Sequence, residues 1–577
     1  MMEGKTFSTL KISSLKKEFP AMNNESVGAF ALVLHSHIPF VRKAGEWPFG
    51  EEWLYEGLME TYIPLLDIIY DLLEEGIKAK FAISITPVLM EQLNDQYLLS
   101  RFEHFMDKEI ERADRDARKF SSRKDYAYER LAIFYRTIFS KVKKSYYERY
   151  QRDLLSAFRK LQNENCIEVL CSTATHGYLP LLKCDSSIYA QVKIGIETYR
   201  KYFGKRPRGF WLPECGYRPE YYFEEAGKKY YKPALDEFLV EQGVEYFICD
   251  THALEGMETY SAEKRIGPYG EVKAPKIECE RKSRGTSFLP YFLKSGCAVF
   301  SRNKETGLQV WSGEWGYPGD GNYREFHKKD SDSGLQYWRI TDRKIDLGLK
   351  QIYVPENTVL KINENADHFN HLVEDLLLNF RKRNGQYGIV VSPYDTELFG
   401  HWWFEGIFWL KEVVKKIYLN PNVKAMTLSE YFTCSNPVEV IDLPESSWGN
   451  GGKHYVWYNS ETEWFWPYIY EAEKLMESAV KKYTHSKGVS RGLLNQAARE
   501  LLLLQSSDWP FLVTTGQAKE YATQRFLLHY QRFRNLIGIL EKSEFGQKEI
   551  NYLQEIEDID NLFPEIDYYL FSSKEKE

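Results

Sequence analysis

Two carboxylates in this chain stand where a protein could place a nucleophile and an acid. Glu214 follows Pro213 at the end of the short apolar run from Arg208 to Leu212. Asp395 closes a second such run, Gly388 to Tyr394, which also carries a proline, Pro393, and leads into Thr396-Glu-Leu-Phe-Gly-His401-Trp402-Trp403. Proline cannot donate to a strand ladder, so each strand should stop near its proline and leave an acid at the mouth of a sheet or barrel. Taken alone, Glu214 reads equally well as a surface residue after an edge strand. Two strand-end carboxylates, each beside aromatic residues, point instead to glycoside chemistry.

Other polar residues gather at the same kind of place. His35 and His37 follow the run Ala29 to Leu34, and His176, Asp250, His252 and His401 also follow apolar runs. Such a set could ligate a metal, as in metal-dependent deacetylases. The H-x-H spacing is weak evidence by itself and no cysteine is suitably placed, so the preferred reading is neutral histidines that hydrogen-bond sugar hydroxyls, with no metal. Trp53, Trp311, Trp402, Trp448 and Trp457 lie beside glycine, proline or acids. Core packing explains about half of such tryptophans, but Trp448, between Ser447 and Gly449-Asn-Gly-Gly452, has little apolar sequence around it. A platform for a ligand is the expectation there, shared with Trp457. No Walker loop, G-x-G-x-x-G or G-x-S-x-G occurs, so nothing supports a nucleotide or a serine nucleophile.

The elements that must carry these residues follow from periodicity. Seven apolar runs of strand length (29–34, 80–85, 166–171, 208–212, 245–249, 297–301 and 388–392) alternate with helical segments, the pattern of parallel strands buried on both faces. Every His, Asp, Glu and Arg cluster follows the C-terminal end of a run, the face on which parallel α/β barrels build their sites. A closed seven-stranded (β/α)7 barrel is the first choice and an open doubly wound sheet the second. Residues 91–163 break the rhythm with charged helical sequence and read as a helical insertion. Beyond 420 the pattern is helical, apart from a polar and aromatic loop over 442–466. The expected division is an extension over 1–26, a barrel over 27–420 and a helical C-terminal domain over 421–577. Residues 255–290 are long for a plain connection and read as a functional loop.

Composition limits the partners. With 577 residues and a net charge of −7 there is no footprint for nucleic acid. Aromatic residues make up 15% of the chain, including 41 Tyr and 14 Trp, an excess that suits a ligand with sugar rings to stack. Eight scattered cysteines without a C-x-x-C pair read as reduced thiols of a cytoplasmic protein. No apolar run is long enough to span a membrane, and residues 1–26 lack the apolar stretch of a secretory signal.

Together these segments resemble the five signature regions of glycoside hydrolase family 57: His35-Ser-His37-Ile-Pro39, Glu168 through His176-Gly-Tyr178, Trp211-Leu-Pro-Glu214-Cys-Gly-Tyr217, Tyr394-Asp395 through Trp403, and Ser507-Asp508-Trp-Pro-Phe511. Trp311 through Asp320, Ser447 through Gly452 and Glu461-Thr-Glu-Trp-Phe-Trp466 narrow the resemblance to its 1,4-α-glucan branching enzymes, over residues 27–545. The resemblance implies a retaining mechanism without a cofactor, with Glu214 as nucleophile and Asp395 as general acid/base, acting on an α-1,4-glucan as in glycogen biosynthesis, in a protein that works as a monomer. It implies donor-site sugar contacts for His35, His37 and His176, and a cleft lined by Trp53, Arg302, Trp311, His401, Trp402, Trp448, Trp457 and Asp508. It also calls for a tyrosine that shields the intermediate from water, for which Tyr269 is the candidate, and for an acid where Asn450 stands. The same resemblance leaves open a 4-α-glucanotransferase or α-amylase. A non-catalytic glucan-binding protein is the rival from another class.

Overall fold

The computed structural model describes residues 26–225, 227–256, 263–265, 271–273, 283–312, 316–542 and 544–573. The expected extension over 1–26 thus lies almost wholly outside the described residues. Seven parallel strands form the centre: β1 (Gly28–Ser36), β2 (Phe81–Ile85), β3 (Ile167–Ser172), β4 (Gly209–Trp211), β5 (Tyr246–Cys249), β6 (Ala298–Ser301) and β7 (Gly388–Asp395). Their order is β6-β5-β4-β3-β2-β1-β7, so each strand lies beside its predecessor until β7 returns to flank β1. This is the winding of a barrel, not of a doubly wound sheet. Tyr291–Phe292 pairs antiparallel with β6, and Val423–Ala425 adds a short parallel pairing to the start of β1.

The barrel closes between β6 and β7 without a ladder. Asn303 N donates to Val391 O at 2.8 Å, Ser392 and Thr306 share a hydroxyl hydrogen bond at 2.7 Å, and the Tyr394 hydroxyl donates to Thr306 O at 2.9 Å. This seam explains one departure from expectation. β7 does not stop at Pro393 but continues to Asp395, with Pro393 opposite Val33. The Val391 carbonyl points at the seam, and residues two apart on a strand point the same way, so the missing Pro393 N–H falls where no ladder exists.

Alternation along the strands decides what faces the interior. Ala29, Ala31 and Val33 of β1 join Ala82, Leu170, Trp211, Tyr246, Ile248, Ala298, Phe300, Ile389 and Val391 in one interior cluster. Small alanines on some strands make room for Trp211, Tyr246 and Phe300 on others. Continuing the same alternation brings His35 and Asp395, which are register partners, to the top of the barrel. The bottom is plugged by the helix Leu428–Cys434, whose Leu428, Tyr431 and Phe432 belong to the interior cluster. Glu168 of β3 ties this helix down by accepting from Ser429 N at 2.9 Å and from the Tyr246 hydroxyl.

The insertion after β2 is a pair of long helices, α1 (Gln96–Arg123) and α2 (Tyr126–Lys144), followed by Leu154–Asn163. After the barrel come α helices over Phe465–Lys482, Gly488–Leu504, Asp508–Thr515, Lys519–Leu540 and Gln547–Ile559. One apolar core runs unbroken from the barrel's outer face into these helices. None of the described helices is long and apolar enough to cross a membrane. Two antiparallel pairings were not legible in the sequence: a hairpin of Tyr221–Glu225 with Lys228–Lys232, and Glu263–Arg265 with Glu271–Lys273 inside the stretch 255–290.

Helix Asp185–Phe203 packs against β3 through Gly195, where a Cβ would stand 2.3 Å from the Ser172 carbonyl oxygen. Gly195→Ala must therefore push the helix off the sheet. We expect a loss of at least about 1–3 kcal/mol of stability, read as a melting temperature several degrees lower; an unchanged melting curve would contradict this packing.

Candidate active site

The turn after β4 places Glu214 and Cys215 at φ +61° and +49°, a left-handed backbone that costs about 1–3 kcal/mol per non-glycine residue. This bend turns the Glu214 side chain over the barrel mouth, where it is only 8% exposed. A carboxylate so buried needs donors. Trp448 Nε1 donates to Oε2 at 2.7 Å and Ser507 Oγ to Oε1 at 3.1 Å. The loop that brings Trp448 is laced to the same turn: Trp448 N donates to Glu214 O at 2.9 Å, and Ser446 and Tyr217 exchange backbone hydrogen bonds at 2.8 and 3.0 Å. Cys215 packs into the barrel interior, as a structural thiol should.

A chain of histidines leads away from Glu214. Ser507 Oγ lies 2.8 Å from His176 Nδ1, His176 Nε2 lies 3.1 Å from His35 Nε2, and His35 Nδ1 lies 3.3 Å from Ser84 Oγ. Burial, together with neighbouring imidazoles, holds the pKa of both His35 and His176 well below the usual value, so both rings are neutral. An ionised Glu214 only accepts, and this fixes every hydrogen in the chain. Ser507 donates to Glu214, His176 donates from Nδ1 to Ser507, His35 donates from Nε2 to His176, and Ser84 donates to His35. His37 differs. Burial opposes its charge, but Asp508, with both oxygens 3.0 Å from Nε2, outweighs burial and raises its pKa. His37, His176 and Asp508 bring ligand atoms within 4.8 Å of one another, a spacing that could hold an ion. Each of these groups is already engaged in the hydrogen bonds just described.

Asp395 faces the same space from β7. Burial first, then the charges of Glu397 and Glu214, push its carboxyl well above the usual range, with Arg302 opposing. Glu214 is raised to about 7, by burial and by Asp508 against the pull of Trp448, Ser507 and His37. The two groups interact, so they titrate as a pair. Arg302 is held flat by Asp250, with Nε to Oδ1 at 2.8 Å and Nη2 to Oδ2 at 2.9 Å. Asp250 is thus an arginine clamp, and His252 turns toward the Gly452 carbonyl at 3.2 Å.

These residues line a cavity of about 1030 Å³ at the C-terminal face of the barrel. Trp53, Trp311, His401, Trp402, Trp448, Asn450 and Asp508 join its wall. Trp53 is set edge-on against Tyr521 at 5.4 Å, and Trp402 rests on Phe326 at 4.3 Å. His401 is fixed by Glu60 at 2.6 Å. Two tryptophans depart from the expected platform. Trp457 reaches the wall but is 1% exposed, with Tyr178 stacked on one face at 4.3 Å, so it serves mainly as packing. Trp448 spends its indole N–H on Glu214. Tyr269 lies outside the described residues. Ser507 and Glu397 stood inside the quoted sequence segments without a role of their own, and Tyr62 was not singled out. Glu397 lines the cavity and accepts from His37 N at 3.1 Å and from the Tyr62 hydroxyl.

Comparison with known proteins agrees with this geometry. The model of glycosyl hydrolase family 57 matches residues 31–444. The chain belongs to that family. A second model, of the 1,4-alpha-glucan branching enzyme C-terminal region, matches residues 468–571. A 1,4-alpha-glucan branching enzyme of Thermococcus kodakarensis is 43% identical over 540 residues, 93% of this chain and 77% of that protein. The crystal structure of a family 57 branching enzyme from Pyrococcus horikoshii superposes with a TM-score of 0.85 at 43% identity, covering 95% of this chain and 97% of the other. An α-amylase from Thermotoga maritima superposes at 0.78 with 31% identity, covering 94% and 99%.

The Trp448 contact holds the Glu214 pKa down. Trp448→Phe keeps the ring and deletes the donor, so the acid limb of the pH–activity profile on an α-glucan should move above its wild-type midpoint near 7. Activity at pH 6 should fall about 10–100-fold, the worth of a hydrogen bond to a charged group. An acid limb that stays in place would show that Glu214 does not set it.

Proposed function

We propose that this protein is a 1,4-α-glucan branching enzyme. Glu214 attacks the anomeric carbon of an α-1,4-linked glucosyl residue while Asp395 gives its proton to the departing 4-oxygen. The segment is held as an ester on Glu214. The 6-hydroxyl of a second glucan then attacks the same carbon, Asp395 takes its proton, and the carboxylate of Glu214 is released. Burial and the neighbouring carboxylates favour the protonated form of Asp395, as its role as acid requires.

The observation that carries the reading is Ser507 donating to Glu214. Ser507 lies inside the segment matched by the branching-enzyme C-terminal model, so the region typical of that activity is built into the nucleophile's own surroundings. The higher identity to branching enzymes than to the α-amylase points the same way. On this reading His35, His37 and His176 contact the donor sugar, the clamped Arg302 and the aromatic wall orient the chain, and Tyr269 is the candidate shield against water. We further propose the division at residues 420 and 421, action as a monomer in the cytoplasm, and a place in glycogen biosynthesis.

Incubation with amylose, followed by debranching and chain-length analysis, tests the activity. New α-1,6 branches are expected; rearranged linear chains or reducing sugar alone would assign a glucanotransferase or an amylase. Glu214→Gln should lower turnover by on the order of 10⁴ or more with an unchanged melting temperature, because the covalent route is closed. Retention of a tenth of the activity would remove Glu214 from the reaction.

A further inference from the structure

The hairpin after the Glu214 turn is built unlike the rest of the surface. Tyr221, Tyr222 and Phe223 on one strand face Tyr230 and Tyr231 on the other. None of these five rings packs against the hydrophobic core, and Tyr221, Tyr222 and Tyr230 are 43%, 60% and 42% exposed. The hairpin is anchored at its base, where Lys232 Nζ donates to Lys183 O at 2.5 Å and to Asp185 at 2.9 Å, and the Tyr231 hydroxyl donates to Glu237 at 2.7 Å. A two-stranded hairpin is marginal in water, and large exposed aromatic surface marks sites that something else covers.

Strand alternation sorts the rings onto two faces. Tyr221, Phe223 and Tyr230 share one face with Lys232, and Phe223 and Tyr230 stack at 5.3 Å with their planes 22° apart. Tyr222 and Tyr231 share the other face. Tyr470 lies within electrostatic reach of both the Tyr221 and Tyr458 hydroxyls, and Tyr458, 48% exposed, directly follows Trp457 of the cavity wall.

We propose that Tyr221, Phe223 and Tyr230 form a second binding site for α-1,4-glucan. The proposal rests on the branching reading for the identity of the occupant. Three observations favour a glucan over a protein. A cavity of about 1030 Å³ takes only a short piece of a polymer, so the rest of the chain must run out over the surface. The exposed rings are chiefly tyrosines, whose flat faces accept the C–H face of a sugar while their hydroxyls stay wet. The charged residues of the hairpin, Glu224, Glu225, Lys228, Lys229 and Lys232, include both signs, as suits an uncharged ligand. A foothold next to the nucleophile raises the effective concentration of chain ends at the cleft.

The test is affinity electrophoresis of the full chain through gels with and without glycogen, together with kinetics on long amylose and on a short malto-oligosaccharide. Tyr221→Ala combined with Tyr230→Ala should weaken glycogen retardation and raise KM for amylose by roughly tenfold, with short-substrate turnover and melting temperature unchanged. Tyr222→Ala, on the opposite face, should behave as wild type. The proposal is overturned if the double variant is retarded as strongly as wild type, if Tyr222→Ala loses as much, or if short substrates suffer equally. It is also overturned if sedimentation shows a wild-type dimer that the double variant abolishes, which would give this face to a second copy. Wild-type retardation without formation of α-1,6 branches would sink the branching reading and leave the glucan site standing.

Discussion

A buried carboxylate cannot stay ionised without donors, and that requirement at Glu214 organises much of the molecule. The barrel supplies the acid on a left-handed turn after β4, but the groups that hydrogen-bond it arrive from far along the chain. Trp448 comes from the loop beyond the barrel and Ser507 from the start of a late helix. The helices after residue 465 therefore carry a hydrogen-bond donor to this carboxylate as well as packing against the barrel. Their continuous apolar core with the barrel keeps a hydroxyl within 3.1 Å of a carboxylate 293 residues earlier in the chain.

The same carboxylate sets the protonation of its surroundings. Because Glu214 accepts from Ser507, the hydrogens of His176 and His35 are directed in series back to Ser84 on β2. Neutral imidazoles in this arrangement stabilise a single charge without adding one of their own. In the proposed reaction Glu214 becomes an ester, and on that reading the charge and the reason for the direction of the chain go together. Glu397 acts in the opposite sense on the other side of the cavity, where its carboxyl discourages ionisation of Asp395. The two carboxylates thus answer to different neighbours as well as to burial.

The strands were legible because a strand buried on both faces needs an unbroken apolar run, and all seven runs lie within three residues of the observed limits. The place of Glu214 and Asp395 on the cavity wall was legible because two runs each end in an acid beside aromatic residues. Ser507 was not, since nothing in a Ser-Ser-Asp sequence says which distant carboxylate it will meet. Trp448 carried a signal in its glycine-rich flank, although that signal spoke of a ligand platform and the indole N–H went to the nucleophile. Trp457 shows the limit of the same reasoning: its loop sequence looks open, but Tyr178 covers it. The tyrosine hairpin escaped because mixed Tyr, Lys and Glu without a core-facing side has no period to detect. Pro393 misled for a geometric reason, because a proline ends a strand only where its missing N–H was needed.

The seam between β6 and β7 has a mechanical consequence. Glu214 follows a strand with full neighbours on both sides, in the middle of a continuous run of ladders. Asp395 ends a strand laddered on one side only, the other side being stitched by Asn303 and Thr306. On the proposed reaction the nucleophile thus follows a strand laddered on both sides, and the acid/base stands at the seam, where the ring is stitched by single hydrogen bonds.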